Sequence, residues 1–211
     1  MKFTVAFFTL LFAFFINGHA SEIRFAIYRG KNPIGSYTFV ISGPETARKI
    51  EAKMDIEVKI LGITAYKATH QRKEIWSSSK LQSLSGSSTY NGKNYQFKLI
   101  TTRQGSALET NGQTESLRPL HFTFLPWAIN APKAAEADFI TEKGDIRTVQ
   151  LQNMGREIET IGDKKMSLTH IIYRDKEEDW ERNAWYDSTG RLQIMRYQQG
   201  QTQIQLIRET P

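Results

Sequence analysis

From Ile50 the chain alternates with a period of two: Ile50, Ala52, Met54, Ile56, Val58 and Ile60 interleave with Glu51, Lys53, Asp55, Glu57 and Lys59. Successive side chains of an extended strand point to opposite faces, so this pattern separates a dry face from a wet one. A helix would scatter both sets around its circumference. At about 3.3 Å per residue the stretch reaches roughly 36 Å, longer than the common strand, which points to a curved sheet or a barrel wall. The same alternation returns in Tyr37, Phe39 and Ile41 against Ser36, Thr38 and Val40, and in Tyr95, Phe97 and Leu99 against Gln96 and Lys98. Shorter versions stand at Ile23, Phe25 and Ile27, at Leu192 and Ile194, and at Ile204 and Leu206.

Turn residues punctuate these runs. Asn91-Gly92 is a strong cue for a two-residue type I′ hairpin, Asp187-Ser188-Thr189-Gly190 suits a four-residue loop, and Asn111-Gly112 and Gln199-Gly200 act alike. They return roughly every 8–15 residues, too often for crossover helices, so the connections should be antiparallel hairpins. The pattern predicts an all-β fold: a single antiparallel curved sheet or an open or closed β-barrel, with little helix.

One segment departs from this rhythm. Leu117 to Pro132 carries Pro119, Pro126 and Pro132 and a dense apolar load without period two. Proline cannot donate to a ladder, so the segment should cross the sheet as a loop or short turn, either plugging one end of the barrel or forming a lid over a cavity. Lys133 to Ala137 could add one helical turn. Asp175 to Asp179 reads as a solvated hairpin loop, since the EF-hand spacing with its central glycine is missing.

The N-terminus adds a compartment. Lys2 precedes an apolar run from Phe3 to Ile16, followed by Gly18 and Ala20 at positions −3 and −1 of a cleavage site. This predicts a signal peptide over residues 1–20, cut after Ala20, and a single β domain over 21–211. The run is too short for a stable bilayer span, and with no cysteine in the chain the new N-terminus cannot be lipidated as a bacterial lipoprotein is. Zero cysteines also exclude disulfides and thiolate metal sites. The formal charge is +6, and loss of Lys2 with the leader leaves +5. Such an excess suits anionic partners, but the basic residues are interleaved with acids rather than set in a stripe, so nucleic acid is not expected.

No catalytic motif appears. Of four histidines, His19 leaves with the leader, and His70, His121 and His170 show no paired metal-ligand spacing. Ser85-Gly86-Ser87-Ser88 lacks the spacing of a nucleophile elbow, and phosphate-binding and dinucleotide-binding glycine patterns are missing. No cofactor or metal is expected. What stands out are aromatic and polar clusters at strand ends: His70 to Trp76, Leu125-Pro126-Trp127, and Trp180 to Asp187. A tryptophan joins a large apolar face to one hydrogen-bond donor, which suits a core or a ligand pocket.

In order along the chain come Asn32-Pro33-Ile34-Gly35, Gly62, Tyr66-Lys67-Ala68-Thr69-His70, Glu74-Ile75-Trp76, Leu81, Thr89-Tyr90-Asn91-Gly92, Pro126-Trp127, Trp185-Tyr186-Asp187 and Gly190-Arg191-Leu192. Over nearly the whole mature chain this order resembles the exported bacterial family called domain of unknown function 6134. The resemblance implies export and a single β-rich domain, and supplies no activity. More remotely, the layout is similar to periplasmic lipoprotein carriers, whose curved sheet holds acyl chains under a lid. The resulting expectation is a non-enzymatic periplasmic or secreted β-clamp or barrel that binds an apolar or amphiphilic, lipid-like envelope ligand. Its candidate ligand-binding residues are Trp76, Trp127, Phe124, Trp185, Tyr186, His70 and Arg72. One alternative is an envelope interaction module that holds a protein or an anionic polymer. A second is a hydrolase with a site assembled from distant strands.

Overall fold

The computed structural model describes residues 20–77, 80–102, 105–116, 135–175, 177 and 180–209. Residues 1–19 of the expected leader and the proline-bearing segment 117–134, with Phe124, Trp127 and His121, lie outside them. Fourteen strands follow one another: β1 Ser21–Arg29, β2 Asn32–Ser42, β3 Arg48–Ile60, β4 Ile63–Ser77, β5 Lys80–Tyr90, β6 Lys93–Thr102 and β7 Gly105–Thr110, then β8 Gln113–Ser116, β9 Glu136–Ile140, β10 Ile146–Ile161, β11 Lys164–Asp175, β12 Glu181–Tyr186, β13 Leu192–Gln199 and β14 Thr202–Arg208. Among the described residues the only helical element is a 3-10 turn at Glu45–Ala47.

All strands join one antiparallel sheet in the order β8-β7-β6-β5-β4-β3-β2-β1-β14-β13-β12-β11-β10-β9. Every neighbour in the sheet is a neighbour in sequence except β1 and β14, which pair with each other (Ile27 opposite Leu206) and bring the two ends of the chain together mid-sheet. Among the described residues the ring is therefore complete except between β8 and β9, the strands on either side of segment 117–134 in the sequence. The predicted all-β barrel-like sheet is thus the fold, in its open form.

The sheet curls around one interior. Phe25, Tyr37, Met54, His70 and Ser88 stand opposite one another in successive registers and form one inward row. Phe39, Ala52, Arg72, Gly86 and Phe97 form the next. Gly86 has a packing reason: the Phe97 ring lies where its Cβ would be. In β3 the alternation is realised, with Ile50, Ala52 and Met54 buried and Glu51, Lys53 and Asp55 exposed. Beyond Val58 no residue up to Ala65 is buried, so the β3–β4 hairpin stands clear of the core.

Two hairpins carry the predicted asparagine-glycine turns. Asn91 and Asn111 adopt φ of 47° and 50°, the left-handed conformation that asparagine tolerates and a type I′ turn requires. Their side chains also work outward, since Asn91 Oδ1 accepts from Lys67 N and Asn111 Oδ1 from Gln96 N, each at 2.9 Å.

The helical turn expected over Lys133 to Ala137 is corrected in its described part: Glu136 and Ala137 begin β9 and pair with Gln150 and Val149. A ladder partner here outweighs the weak helix preference of alanine.

Candidate functional site

Interior side chains divide into a dense lower part and a hollow upper part. At the lower end β4 buries three consecutive inward side chains, Arg72, Glu74 and Trp76. Arg72 Nε donates to Glu74 Oε1 at 2.5 Å and Trp76 Nε1 donates to Glu74 Oε2 at 2.7 Å. Arg72 Nη1 donates to the Ile140 carbonyl at 3.0 Å, joining β4 to the free-edge strand β9 across the interior. The same tie recurs higher up, where Thr110 Oγ1 on β7 donates to the Gly144 carbonyl in the β9–β10 turn at 2.9 Å. Side chains thus bridge toward the edge that the ladder leaves open.

Above this strut lies a cavity of about 780 Å³, within the usual range for small-ligand sites. Its deep wall is aliphatic, with Ile27, Met54, Ile56, Met195, Ile204 and Leu206. Tyr37, buried opposite Met54, joins this wall, and nearer the mouth stand Tyr66, Tyr90, Tyr197 and Trp180, with Arg182 among them. The Arg182 guanidinium lies 4.8 Å from the Trp180 ring centroid and 5.0 Å from that of Tyr197. The β9–β10 turn reaches into the mouth: Glu142 lines the cavity, and the Lys143 ammonium sits 5.3 Å from the Tyr90 ring and 5.6 Å from that of Tyr95.

Burial raises the pKa of Tyr37, Tyr66, Tyr90 and Tyr197, and the nearby Glu142 carboxylate pushes each in the same direction. All four hydroxyls therefore stay protonated and can donate to a ligand oxygen. The Tyr37 hydroxyl is buried and has no hydrogen-bond partner among the described residues, a state that costs about 1–3 kcal/mol when left unmade. His70, beyond Met54 in the same row, is also fully buried. Burial drives its imidazole down to about 4, with Arg72 adding to the fall and Glu142 opposing it.

The candidate residues read from the sequence fall into separate places. His70, Arg72 and Trp76 share the inward face of β4 beneath the cavity, and Tyr186 lies in the core with its hydroxyl 2.6 Å from that of Tyr173. None of these four lines the cavity. Trp185 occupies the opposite face of the sheet. There it stacks on His170, centroids 4.4 Å apart, lies under Arg196 at 4.7 Å, and donates to Glu157 Oε2 at 3.0 Å. His170 Nε2 meets Asn183 Oδ1 at 2.8 Å, so this outer cluster is a satisfied packing unit.

The tyrosine ring and Arg182 were missed as a group. The signal was their position near the turns of one barrel end: Tyr90 directly precedes Asn91-Gly92, Tyr66 follows Gly62, and Tyr197 precedes Gly200. Among the described residues no group of three or more His, Cys, Asp or Glu is placed to hold a metal ion, and no helix is long and apolar enough to cross a membrane. A second hollow of about 490 Å³ over β4–β7 is bordered by Ser85, Ser87, Gln96 and Lys98 and is open and polar.

Among solved structures the chain is similar to the beta-barrel-like protein of domain of unknown function DUF1849 from Brucella abortus. That match has a TM-score of 0.61 at 7% identity, over 92% of this chain and 96% of the other. At that identity the likeness carries the fold alone. No curated protein matches the chain. The family model described as Domain of unknown function (DUF6134) matches residues 25–209, and the chain belongs to that family.

Proposed function

We propose that the protein binds an amphiphilic, lipid-like molecule in the upper cavity, with the apolar part against the aliphatic wall and the polar part at the tyrosine ring and Arg182. The observation that carries this reading is the cavity itself: about 780 Å³ of space inside the curled sheet, lined by an aliphatic wall and by aromatic and charged side chains. A lining of that kind matches a molecule with two ends, because apolar burial supplies affinity and a few polar groups fix orientation. The unpartnered Tyr37 hydroxyl on its wall offers one donor for such a ligand.

The role proposed is carriage or sensing, which a cavity graded from an aliphatic wall to an aromatic and charged mouth supports. The leader read over residues 1–20 supports an exported protein working in the periplasm or beyond the cell, where envelope amphiphiles are the available ligands. N-terminal sequencing of the exported product should begin at Ser21.

The test is a titration with the fluorescent amphiphile N-phenylnaphthylamine, followed by displacement with phospholipids and fatty acids. Wild-type protein should bind the probe at micromolar concentration and release it to a natural amphiphile. Met195→Trp, which fills the deep wall, should abolish binding while the protein stays folded by circular dichroism. Absence of probe binding, or unchanged binding in folded Met195→Trp, would defeat the proposal.

A further inference from the structure

Three hairpins of the sheet share one turn geometry, and one of them uses the wrong residue for it. The first turn residue has φ of 47° at Asn91, 50° at Asn111 and 51° at Leu61. Asparagine tolerates this left-handed conformation and in both other turns bonds the neighbouring strand. Leucine is strained there and has no polar group to offer. Nor does packing compensate, because Leu61 is 97% exposed. Ile60 and Ile63, paired directly across the turn, are 55% and 74% exposed. A strained, water-exposed apolar residue that the fold does not need suggests a role outside folding.

The tip continues the cavity wall. Met54, Ile56, Val58 and Ile60 follow along the inward face of β3, and all four line the cavity before the strand runs out into solvent. Basic residues belong to the hairpins at this end of the sheet: Arg29 lines the cavity, Lys31 lies in the β1–β2 turn, Lys93 opens β6 after the β5–β6 turn, Lys67 stands opposite Glu57 in the ladder, and Lys59 is on the hairpin itself. The one acid near the tip, Glu57, is held by Lys59 at 3.2 Å and Thr64 at 2.9 Å. Elsewhere around the cavity the acids Glu142, Asp145 and Glu181 are interleaved with Lys143, Arg147 and Arg182.

We propose that the β3–β4 hairpin tip is a membrane anchor that inserts Leu61, with Ile60 and Ile63, into an anionic bilayer surface and holds the cavity mouth against it. Apolar side chains enter the boundary of the acyl region while flanking basic side chains meet anionic headgroups. A second copy of the chain is a poorer occupant, because a stable dimer buries about 800 Å² per partner, more than three aliphatic side chains at a hairpin tip present. The anchor stands independently of what the cavity holds.

Flotation with phosphatidylglycerol vesicles and with neutral phosphatidylcholine vesicles tests it, using wild type and variants in the same N-terminal form. Wild type should float with the anionic vesicles and far less with the neutral ones. Leu61→Asn, which restores the turn residue of the other two hairpins, should weaken partition about tenfold, the effect of withdrawing one buried aliphatic side chain. It should also melt at an equal or higher temperature and bind N-phenylnaphthylamine as wild type does, which separates the anchor from the cavity. Ile60→Thr/Leu61→Asn/Ile63→Thr should not float. The anchor is overturned if wild type ignores anionic vesicles, if Leu61→Asn partitions unchanged, or if the substitution only dissolves a dimer in sedimentation while vesicle binding persists.

Discussion

Replacing Glu74 by leucine removes the carboxylate that organises the lower interior. Its side chain is fully buried, as is that of Arg72, and it accepts from both Arg72 Nε and Trp76 Nε1. The variant leaves the guanidinium in the interior without its counter-charge, beside an Nη2 that has no partner even in the wild type. Breaking a buried pair from one side typically costs about 3–5 kcal/mol, a large share of an ordinary folding free energy of about 5–15 kcal/mol. With a urea m-value near 2 kcal/mol/M, the midpoint should fall by about 2 M. The second half of the cycle is the stronger test. Arg72→Met/Glu74→Leu removes both charges and fills the site with apolar atoms, so it should recover most of the loss and show a coupling of at least about 2 kcal/mol. Amide exchange should add a local signature, because Arg72 also holds Ile140: protection in β9 should fall in any variant lacking Arg72. A cost below about 1 kcal/mol for Glu74→Leu, or a double variant as damaged as the sum of the singles, would refute the view that this pair is a buried strut.

Three further outcomes follow from the packing of the interior and of the outer face. Burial holds His70 near 4, below its unfolded value of about 6.5, so the unfolded chain binds the extra proton between those limits. Stability should therefore be complete above pH 6.5 and fall by about 3 kcal/mol as pH drops through that window, and His70→Phe should flatten the slope in pH-dependent urea melts. Gly86→Ala should destabilise by about 1–3 kcal/mol in thermal melts, because the new methyl overlaps the Phe97 ring. Trp185→Phe loses the bond to Glu157 but keeps a ring between His170 and Arg196, so it should cost about 1–2 kcal/mol and leave probe affinity unchanged.

Strand parity made much of the fold legible. The run from Ile50 to Ile60 announces its dry face because each side chain's direction is fixed by the backbone alone, and β3 realises it. Asn91-Gly92 and Asn111-Gly112 were equally readable, since φ near +50° is a local demand. The pairing of β1 with β14 was not, because it depends on the two ends of a meander meeting after some 180 residues, which no local signal encodes. Trp185 and Tyr186 illustrate the limit for sites. Adjacent in sequence, they read as one aromatic cluster, yet they belong to opposite faces of β12. The hollow over His70 arises from how far the sheet curls and from a β9–β10 turn that brings Glu142 and Lys143 to its mouth. Neither quantity is written in the periodicity.

The central claim is that an apolar chain enters the upper cavity. Trp180 lines that cavity, whereas Trp185 lies on the sheet's outer face, so each reports on one side of the wall. Two variants, one keeping only Trp180 and one keeping only Trp185 with the other tryptophans changed to phenylalanine, can be titrated with a brominated fatty acid, whose bromines quench indole at contact. Saturable quenching of Trp180 with Trp185 unaffected is the predicted result. Quenching of neither, or of both to the same extent, would contradict it.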